Sequence, residues 1–339
     1  MLGTKGMQIT ELIESIGPQA FCERIAEMLN SDPPKLRPED ISIKELWLKL
    51  QGLEEQVVST VFPTIMGEVI NRKFIESYRA VPTIGDKLTT TVPSNHWTEI
   101  FPGIEMPDQL KEVPEGMDYE MAGMGEKKAT IDNIKWGRII AITEETIRFD
   151  QTGQILRRAS DLGKKAITKK ESIILRKIQD LDANVYSGAA LYTSGHANLG
   201  STAFGTDGSG MTATELLLNA MKDEAGDPIA IIKRQLLVPR ALTKAAWDLY
   251  KPPETASTYY KSIIDEILTT PLMANVTAYY YGDFAAQFVW SQVFDIETFQ
   301  RSGQETFEGW LRDTVAGFKV RFMGNCGALD YKYVIKGVA

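Results

Sequence analysis

The sequence predicts an α+β chain, and three observations predict it. Residues 1–80 place apolar side chains at helical spacing in short pieces. Residues 85–149 switch to the two-residue period of strands. Residues 153–184 then hold one helical pattern whose thirty or so residues span roughly 45 Å at 1.5 Å each.

Taken in order, Ile9, Leu12, Ile13 and Ile16 keep helical spacing until Gly17-Pro18. Phe21, Ile25, Met28 and Leu29 begin again, and Ser31-Asp32-Pro33-Pro34 breaks the chain. Ser42 with Glu45 forms a capping box ahead of Leu46, Leu50, Leu53 and Val57; Pro63 punctuates, and Ile65, Val69 and Ile70 resume. None of these pieces is long enough to stand alone, so each needs a surface to lie on. A small helical bundle and an arm lying on neighbouring subunits both fit.

Leu88, Thr90 and Val92 alternate, as do Ile134, Trp136, Arg138, Ile140 and Ile142. The roughly forty residues between them, with Pro102, Pro107 and Pro114, exceed an ordinary loop, so they predict disorder or a hairpin that binds elsewhere. Ile155, Ala159, Leu162, Ala166, Ile173, Ile174, Ile178 and Leu181 mark the buried stripe of the long helix. Beyond it, helices are predicted at 212–221, 241–250 and 259–268, with Thr212 and Glu215 as a capping box. Strands are predicted at 230–238, around Val276, Ala278 and Tyr280, and at 287–294. Residues 315–336 predict a closing hairpin: Phe318, Val320 and Phe322 on one strand, Tyr331, Tyr333 and Ile335 on the other, Gly324-Asn325-Cys326-Gly327 between.

Composition narrows the function. The chain has 339 residues, net charge −8 and 43% hydrophobic residues, an ordinary globular make-up with a core available. No run of 18 apolar residues exists to span a membrane as a helix. The first residues lack the apolar stretch of a signal peptide, so the chain is expected to stay where it is made. Two cysteines, Cys22 and Cys326, make no disulfide framework and favour a reducing compartment. A pI near 5.1 argues against a dedicated nucleic-acid-binding domain. Charge is nonetheless uneven. The long helix carries Arg157, Arg158, Lys164, Lys165, Lys169, Lys170, Arg176 and Lys177 against Asp161, Glu171, Asp180 and Asp182. A solvated face and contact with a polyanion are the two readings of that run.

Catalytic signals are thin. His96, His196 and the two cysteines lack the paired spacing of a zinc site. Ser194 and His196 sit in a turn-rich loop with no nucleophile elbow, so loop hydrogen bonding is the reading adopted. Asp180-x-Asp182-x-Asn184 opens like a calcium loop, but Val185 and Leu191 occupy the glycine and glutamate positions. Gly208-Ser209-Gly210-Met211-Thr212-Ala213 imitates a dinucleotide fingerprint with no strand before it. No metal or cofactor is expected, and these absences lower the case for an enzyme without removing it, because a carboxylate pair leaves no spacing signature.

The order of elements resembles the major capsid protein of tailed bacteriophages, the Hong Kong 97 fold, in its phage Mu-like form. Three segments carry the resemblance: residues 191–200 (Leu191-Tyr192-Thr193-Ser194-Gly195-His196-Ala197-Asn198-Leu199-Gly200), residues 231–239 ending Leu236-Leu237-Val238-Pro239, and residues 313–322 with 327–333. The resemblance covers roughly residues 60–337. It implies an N-terminal arm at 1–80, a peripheral-domain strand region at 81–104 and an extended loop at 105–140. It further implies a peripheral domain with a spine helix at 141–185, an axial domain at 186–310 and a peripheral-domain C-terminal hairpin at 311–339. It implies a non-enzymatic subunit of pentamers and hexamers that close into an icosahedral shell around double-stranded DNA. Portal and scaffold proteins, and a cement protein in some members, are the implied partners; the virion is the implied location, after assembly in the bacterial cytoplasm. The eight cations of the spine helix are then candidates to face the lumen, its DNA or a scaffold. Met117, Tyr119, Lys127 and Lys128 are candidates for inter-subunit loop contacts. Some members of the fold join lysine and asparagine side chains covalently; Lys127, Lys128 and Asn325 are the residues to watch, with solvated turn residues the plainer reading. Two rivals remain: an encapsulin-like nanocompartment shell with enzyme cargo, and an α/β enzyme using a carboxylate pair.

Overall fold

The computed structural model describes residues 18–30, 55–104, 126–149, 153–182, 190–223, 226–251, 259–302 and 313–338. In chain order the elements begin with α1 (Pro18–Asn30), α2 (Glu55–Ala80), α3 (Gly85–Leu88), β1 (Thr90–Pro93), β2 (Thr98–Ile104), β3 (Glu126–Asp132), β4 (Ile134–Thr143), α4 (Glu144–Arg148) and α5 (Gln154–Ile178). Then come β5 (Leu199–Gly200), α6 (Ser209–Asn219), β6 (Gln235–Pro239), α7 (Thr243–Tyr250), α8 (Tyr259–Ile263), β7 (Glu266–Thr270), β8 (Tyr279–Gly282), α9 (Phe284–Gln287), β9 (Phe288–Ser302), β10 (Thr314–Ala328) and β11 (Val334–Gly337). The chain divides into two compact units, and α5, β9 and β10 each contribute residues to both.

The first unit comprises the described parts of Met1–Pro82, Lys135–Lys169 and Asp295–Phe322. Its core joins Phe21, Ile25 and Leu29 of α1, Ile65, Met66, Val69, Ile70 and Phe74 of α2, Ile155 and Ala159 of α5, and Phe318 and Val320 of β10. Each such large side chain contributes about 1.5–3 kcal/mol by burial. Pro18 opens α1, where its missing N–H costs nothing. Pro63 does not divide α2, which runs unbroken to Ala80; the packing of the apolar stripe behind it outweighs one lost backbone bond. Small residues bring α5 against α2. A Cβ on Gly163 would stand 2.7 Å from the Phe74 carbonyl oxygen, and Ser77 Oγ donates to Ser160 Oγ at 2.8 Å.

The second unit comprises the described parts of Thr83–Ile134, Lys170–Phe294 and Met323–Ala339. A five-stranded sheet has the order β5-β11-β8-β6-β7. β6 and β7 are parallel; β8 runs antiparallel to β6 and β11, and β11 is parallel to β5. β6 and β8 are covered on both faces, so every residue of each is buried and no alternation shows. Tyr279, Tyr280 and Tyr281 are thus consecutive core residues; Tyr279 Oη donates to Gly210 O (2.9 Å) and Tyr281 Oη to Ile263 O (2.6 Å). Gly282 has φ 143°, and a Cβ there would collide with the Tyr333 carbonyl.

β2 and β3 form an antiparallel ribbon of their own, in register from Thr98↔Asp132 to Ile104↔Glu126. Ala129 and Ile131 are buried, while Ile100 on the other face is 57% exposed. The ribbon base is tied by Asn133, whose Nδ2 donates to Ser94 Oγ (3.2 Å) and His96 O (2.8 Å). A third sheet has the order β1-β9-β10-β4.

Several expectations need correction. The closing hairpin does not form. Residues 314–328 are one continuous strand through Gly324-Asn325-Cys326-Gly327, and β11 pairs with β8 and β5 instead of β10. The predicted helix 259–268 stops at Ile263, because Glu266–Thr270 pairs in parallel with β6. The Thr212–Glu215 capping box is absent: the helix starts a turn earlier, with Gly208 (φ 78°) as its cap. Leu181 lies past the end of α5 and is 47% exposed. The strand expected at 230–238 begins at Gln235. The expected helix around residues 9–16, the capping box at Ser42 and the segment 105–125 lie outside the described residues.

Candidate functional site

The long helix α5 sorts its eight cations by angle. Its buried stripe passes through Ile155, Ala159, Ala166 and Ile173. Lys170 is four residues past Ala166 and three before Ile173, and Lys177 is four past Ile173, so both fall on that stripe. Lys170, its side chain 12% exposed, lies 3.0 Å from the Asp86 carboxylate and 5.6 Å from the Trp290 ring. Lys177 is buried and donates to the Asp182 carbonyl at 2.7 Å. Desolvation pulls its pKa down, against the opposing pull of Cys326, Asp182 and Asp180. Arg176 is exposed but held by two 2.7 Å contacts to the Asp182 carboxylate.

The other five, Arg157, Arg158, Lys164, Lys165 and Lys169, are exposed on the part of α5 belonging to the first unit. Lys169 sits over the Trp136 ring of β4 at 4.1 Å from its centroid. Arg157, Arg158, Lys164 and Lys165 make no ion pair among the described residues. Arg157 and Lys164, with Lys73, Leu156, Ser160 and Asp161, line an open groove of about 470 Å³. The sequence-predicted basic run therefore contains an outward face of five cations, separate from three that serve the protein's own packing. That face can neutralise a polyanion without reading bases.

The loop candidates divide differently. Met117 and Tyr119 lie outside the described residues; Lys127 pairs by backbone with Gly103, and Lys128 is exposed on the ribbon opposite Pro102. Asn325 is engaged locally: its Nδ2 donates to Asp132 O (2.8 Å) and its Oδ1 accepts from Cys326 N (2.9 Å).

The Ser194–His196 segment is a single 3₁₀ turn capped by Thr193, with His196 Nδ1 3.1 Å from Leu191 O and its ring stacked on Tyr331 at 4.0 Å. Asn198, fully buried, is the hub of the same loop. Its Nδ2 donates to Leu191 O and Tyr331 O, both at 2.9 Å, and its Oδ1 accepts from Thr193 N at 3.0 Å. Histidine and asparagine here are structural. Among the described residues no cluster of three His, Cys, Asp or Glu side chains is placed to hold a metal ion, and no helix is long and apolar enough to cross a membrane.

Glu171 reads in the sequence only as one charge of the long helix, and the structure gives it a further role. It is 7% exposed, and its Oε1 accepts from Gly85 N (2.9 Å) and Ile84 N (3.1 Å), capping α3 from across the fold. Desolvation raises its pKa; the Gly85 and Ile84 hydrogen bonds and Lys170 pull it down, and Asp86 adds to the rise. Helical spacing carries the signal: Glu171 follows Ile167 by four residues and precedes Ile174 by three, both buried.

A long basic helix, a four-stranded sheet, a separate two-stranded ribbon and a mixed five-stranded sheet make up a fold of the Hong Kong 97 type. Solved structures share that fold. The capsid of a native GTA particle aligns with TM-score 0.52 at 8% identity, covering 77% of this chain and 92% of that one. A chain of Mycobacterium phage Adephagia aligns at 0.50 and 15% identity, covering 78% and 92%. One of Mycobacterium phage Cain aligns at 0.50 and 14%, covering 77% and 92%. No curated protein matches the sequence. The phage capsid protein family model matches residues 127–337, and the chain belongs to that family. It is a major capsid shell protein of the tailed-phage type, a structural subunit of the virion; the match favours neither the nanocompartment nor the enzyme reading.

Proposed function

We propose that this chain forms the pentamers and hexamers of an icosahedral shell around packaged double-stranded DNA, with Arg157, Arg158, Lys164, Lys165 and Lys169 turned to the lumen. The family match over residues 127–337 carries the reading. The exposed cation face of α5, with Asp161 the acid among it, supports the lumenal assignment. In this reading the described part of residues 186–310, whose strands pack a core around Leu236, Tyr279 and Tyr281, is the axial domain, with β11 entering its sheet from the C-terminal segment. Residues 1–80 are the arm, residues 81–104, 141–185 and 311–339 the peripheral domain, and residues 105–140 the loop that lies over a neighbour. Exposed Trp97 (73%) and Ile100 support that contact. Heterologous contacts of this kind close into rings by rotation. Portal and scaffold proteins, with or without a cement protein, complete the assembly in the bacterial cytoplasm.

Charge reversal tests the lumenal face. Lys164→Glu with Lys165→Glu should leave shells intact and weaken DNA retention, each lost phosphate contact lowering the slope of log K against log salt by about 0.9. Unchanged DNA content and salt dependence would contradict the assignment.

A further inference from the structure

The five-stranded sheet carries cations of its own at one end. β6 and β7 run parallel and finish together, with Pro239 paired to Thr270. Open sheets with parallel strands take ligands in the crevice outside the carboxyl ends of those strands. Here the chain leaves β6 through Arg240–Leu242, a single 3₁₀ turn, into α7, and leaves β7 through Pro271. Between the two exits lies an open cavity of about 560 Å³, lined by Arg240, Thr243, Lys244, Thr269, Thr270 and Pro271. All six residues belong to the second unit.

The polar lining consists of donors. Arg240 is exposed, and its guanidinium has no ion pair or hydrogen bond among the described residues. Lys244 is exposed and meets one acid, Asp248, at 2.7 Å from the next turn of α7. No carboxylate lines the cavity. Thr243 turns its hydroxyl back on the Pro239 carbonyl at 3.5 Å. Thr270 is only 4% exposed. Its Oγ1 accepts the Leu272 N–H at 3.1 Å, while its own proton has no acceptor among the described residues. A buried hydroxyl ordinarily donates as well as accepts. This one borders the cavity, so the acceptor it lacks is one that the cavity can hold. The half-buried Thr269 hydroxyl beside it makes no bond among the described residues either.

Two cations, two open hydroxyls and no acid around one volume select an anion that accepts several hydrogen bonds. Phosphoryl oxygens fit: a guanidinium binds them through parallel N–H bonds, an ammonium as a point charge. The volume falls within the range of small-molecule sites, about 300–1,000 Å³, which leaves room beyond a single phosphate. We propose that this cavity binds a small phosphate-bearing anion, with Arg240 and Lys244 on its phosphoryl oxygens and the Thr270 hydroxyl donating to one of them. The chain's net charge of −8 opposes non-specific anion binding, so affinity depends on these side chains. The site is complete within one copy and is independent of the shell reading.

Titration calorimetry of the full-length chain, at constant ionic strength with a chelator present, tests the site with tripolyphosphate and with ATP. At least one of the two should saturate one site per chain with Kd below about 1 mM. Equal affinities mean that recognition ends at the phosphates; tighter ATP means that the nucleoside also packs on Pro271. Arg240→Gln should weaken binding roughly 10- to 100-fold, the loss of a charge-assisted hydrogen bond. Thr270→Val should weaken it about 2- to 10-fold. Thr270→Val also disturbs a buried contact, so Arg240→Gln and Lys244→Gln, at exposed positions, carry the test without touching the core. Lys222→Gln with Lys261→Gln, exposed lysines of the same unit outside the cavity, should bind as the wild type does. Absence of saturable binding by either anion, wild-type affinity in Arg240→Gln, or an equal loss in the Lys222/Lys261 variant overturns the proposal. Binding of a DNA duplex that Arg240→Gln weakens, with neither small anion bound, also overturns it and gives the cavity to nucleic acid.

Discussion

Replacing Glu171 by alanine removes the acceptor of two backbone donors at once. The Gly85 N–H is buried and the Ile84 N–H half-buried, at 2.9 and 3.1 Å from the same oxygen. A buried donor left without a partner costs about 1–3 kcal/mol; the Ile84 group costs less, because water can reach it. The variant should therefore lose about 2–4 kcal/mol in all, centred on α3 and the entry to β1. The local readout is amide exchange at Gly85, which should accelerate roughly 5- to 150-fold at neutral pH. Glu171→Gln behaves differently, since its carbonyl oxygen can occupy the Oε1 position and accept both bonds. Burial holds the Glu171 carboxyl above its ordinary pKa, so the folded state binds more protons than the unfolded one between the two values. The stability this group contributes is present at low pH and is lost as pH rises through the folded value. Glu171→Gln should accordingly match or exceed the wild type at neutral pH, and the gap should close on acidification. Unchanged Gly85 exchange in Glu171→Ala, or a glutamine variant as damaged as the alanine one, would refute the capping role.

Asn198→Ala breaks three hydrogen bonds at a fully buried position and should cost about 3–5 kcal/mol, seen as rapid proteolytic cleavage between Leu191 and Leu199. Asn198→Asp should fare no better, because it loses both donated bonds. Cys326 is fully buried and its thiol is pushed up to about 12, so thiol reagents at pH 8 should modify it only after unfolding; labelling in the native shell would contradict its placement in β10.

The parts of the fold that follow a period are legible in the sequence. The α5 stripe from Ile155 to Ile178, the β4 alternation and the break between residues 1–80 and the strand region all show there, since one covered face leaves a repeating signature. Strands covered on both faces leave none, and β8 is visible only as an ill-placed alternation around Tyr280. The false hairpin has a specific cause. Gly324-Asn325-Cys326-Gly327 has turn composition, yet Gly324 lies against the Ser291 carbonyl and Gly327 against Ile131, where a Cβ would collide. Glycine there serves close approach within a strand, which turn statistics cannot distinguish. Residues 266–268 read as helix because Ile263, Ile264, Ile267 and Leu268 keep helical spacing, while parallel pairing to β6 decides the outcome. At the candidate site, charge counting finds the basic face but not its division. The helical angle makes that division: it sets Lys170 and Lys177 on the apolar stripe, apart from Arg157, Arg158, Lys164, Lys165 and Lys169.

Electron microscopy of the purified full-length chain probes the shell assignment most directly. Closed particles of uniform diameter, with capsomers at five- and six-fold positions, are the predicted result. A discrete monomer or small oligomer under every assembly condition, with residues 105–125 packed rigidly on their own chain, would contradict it.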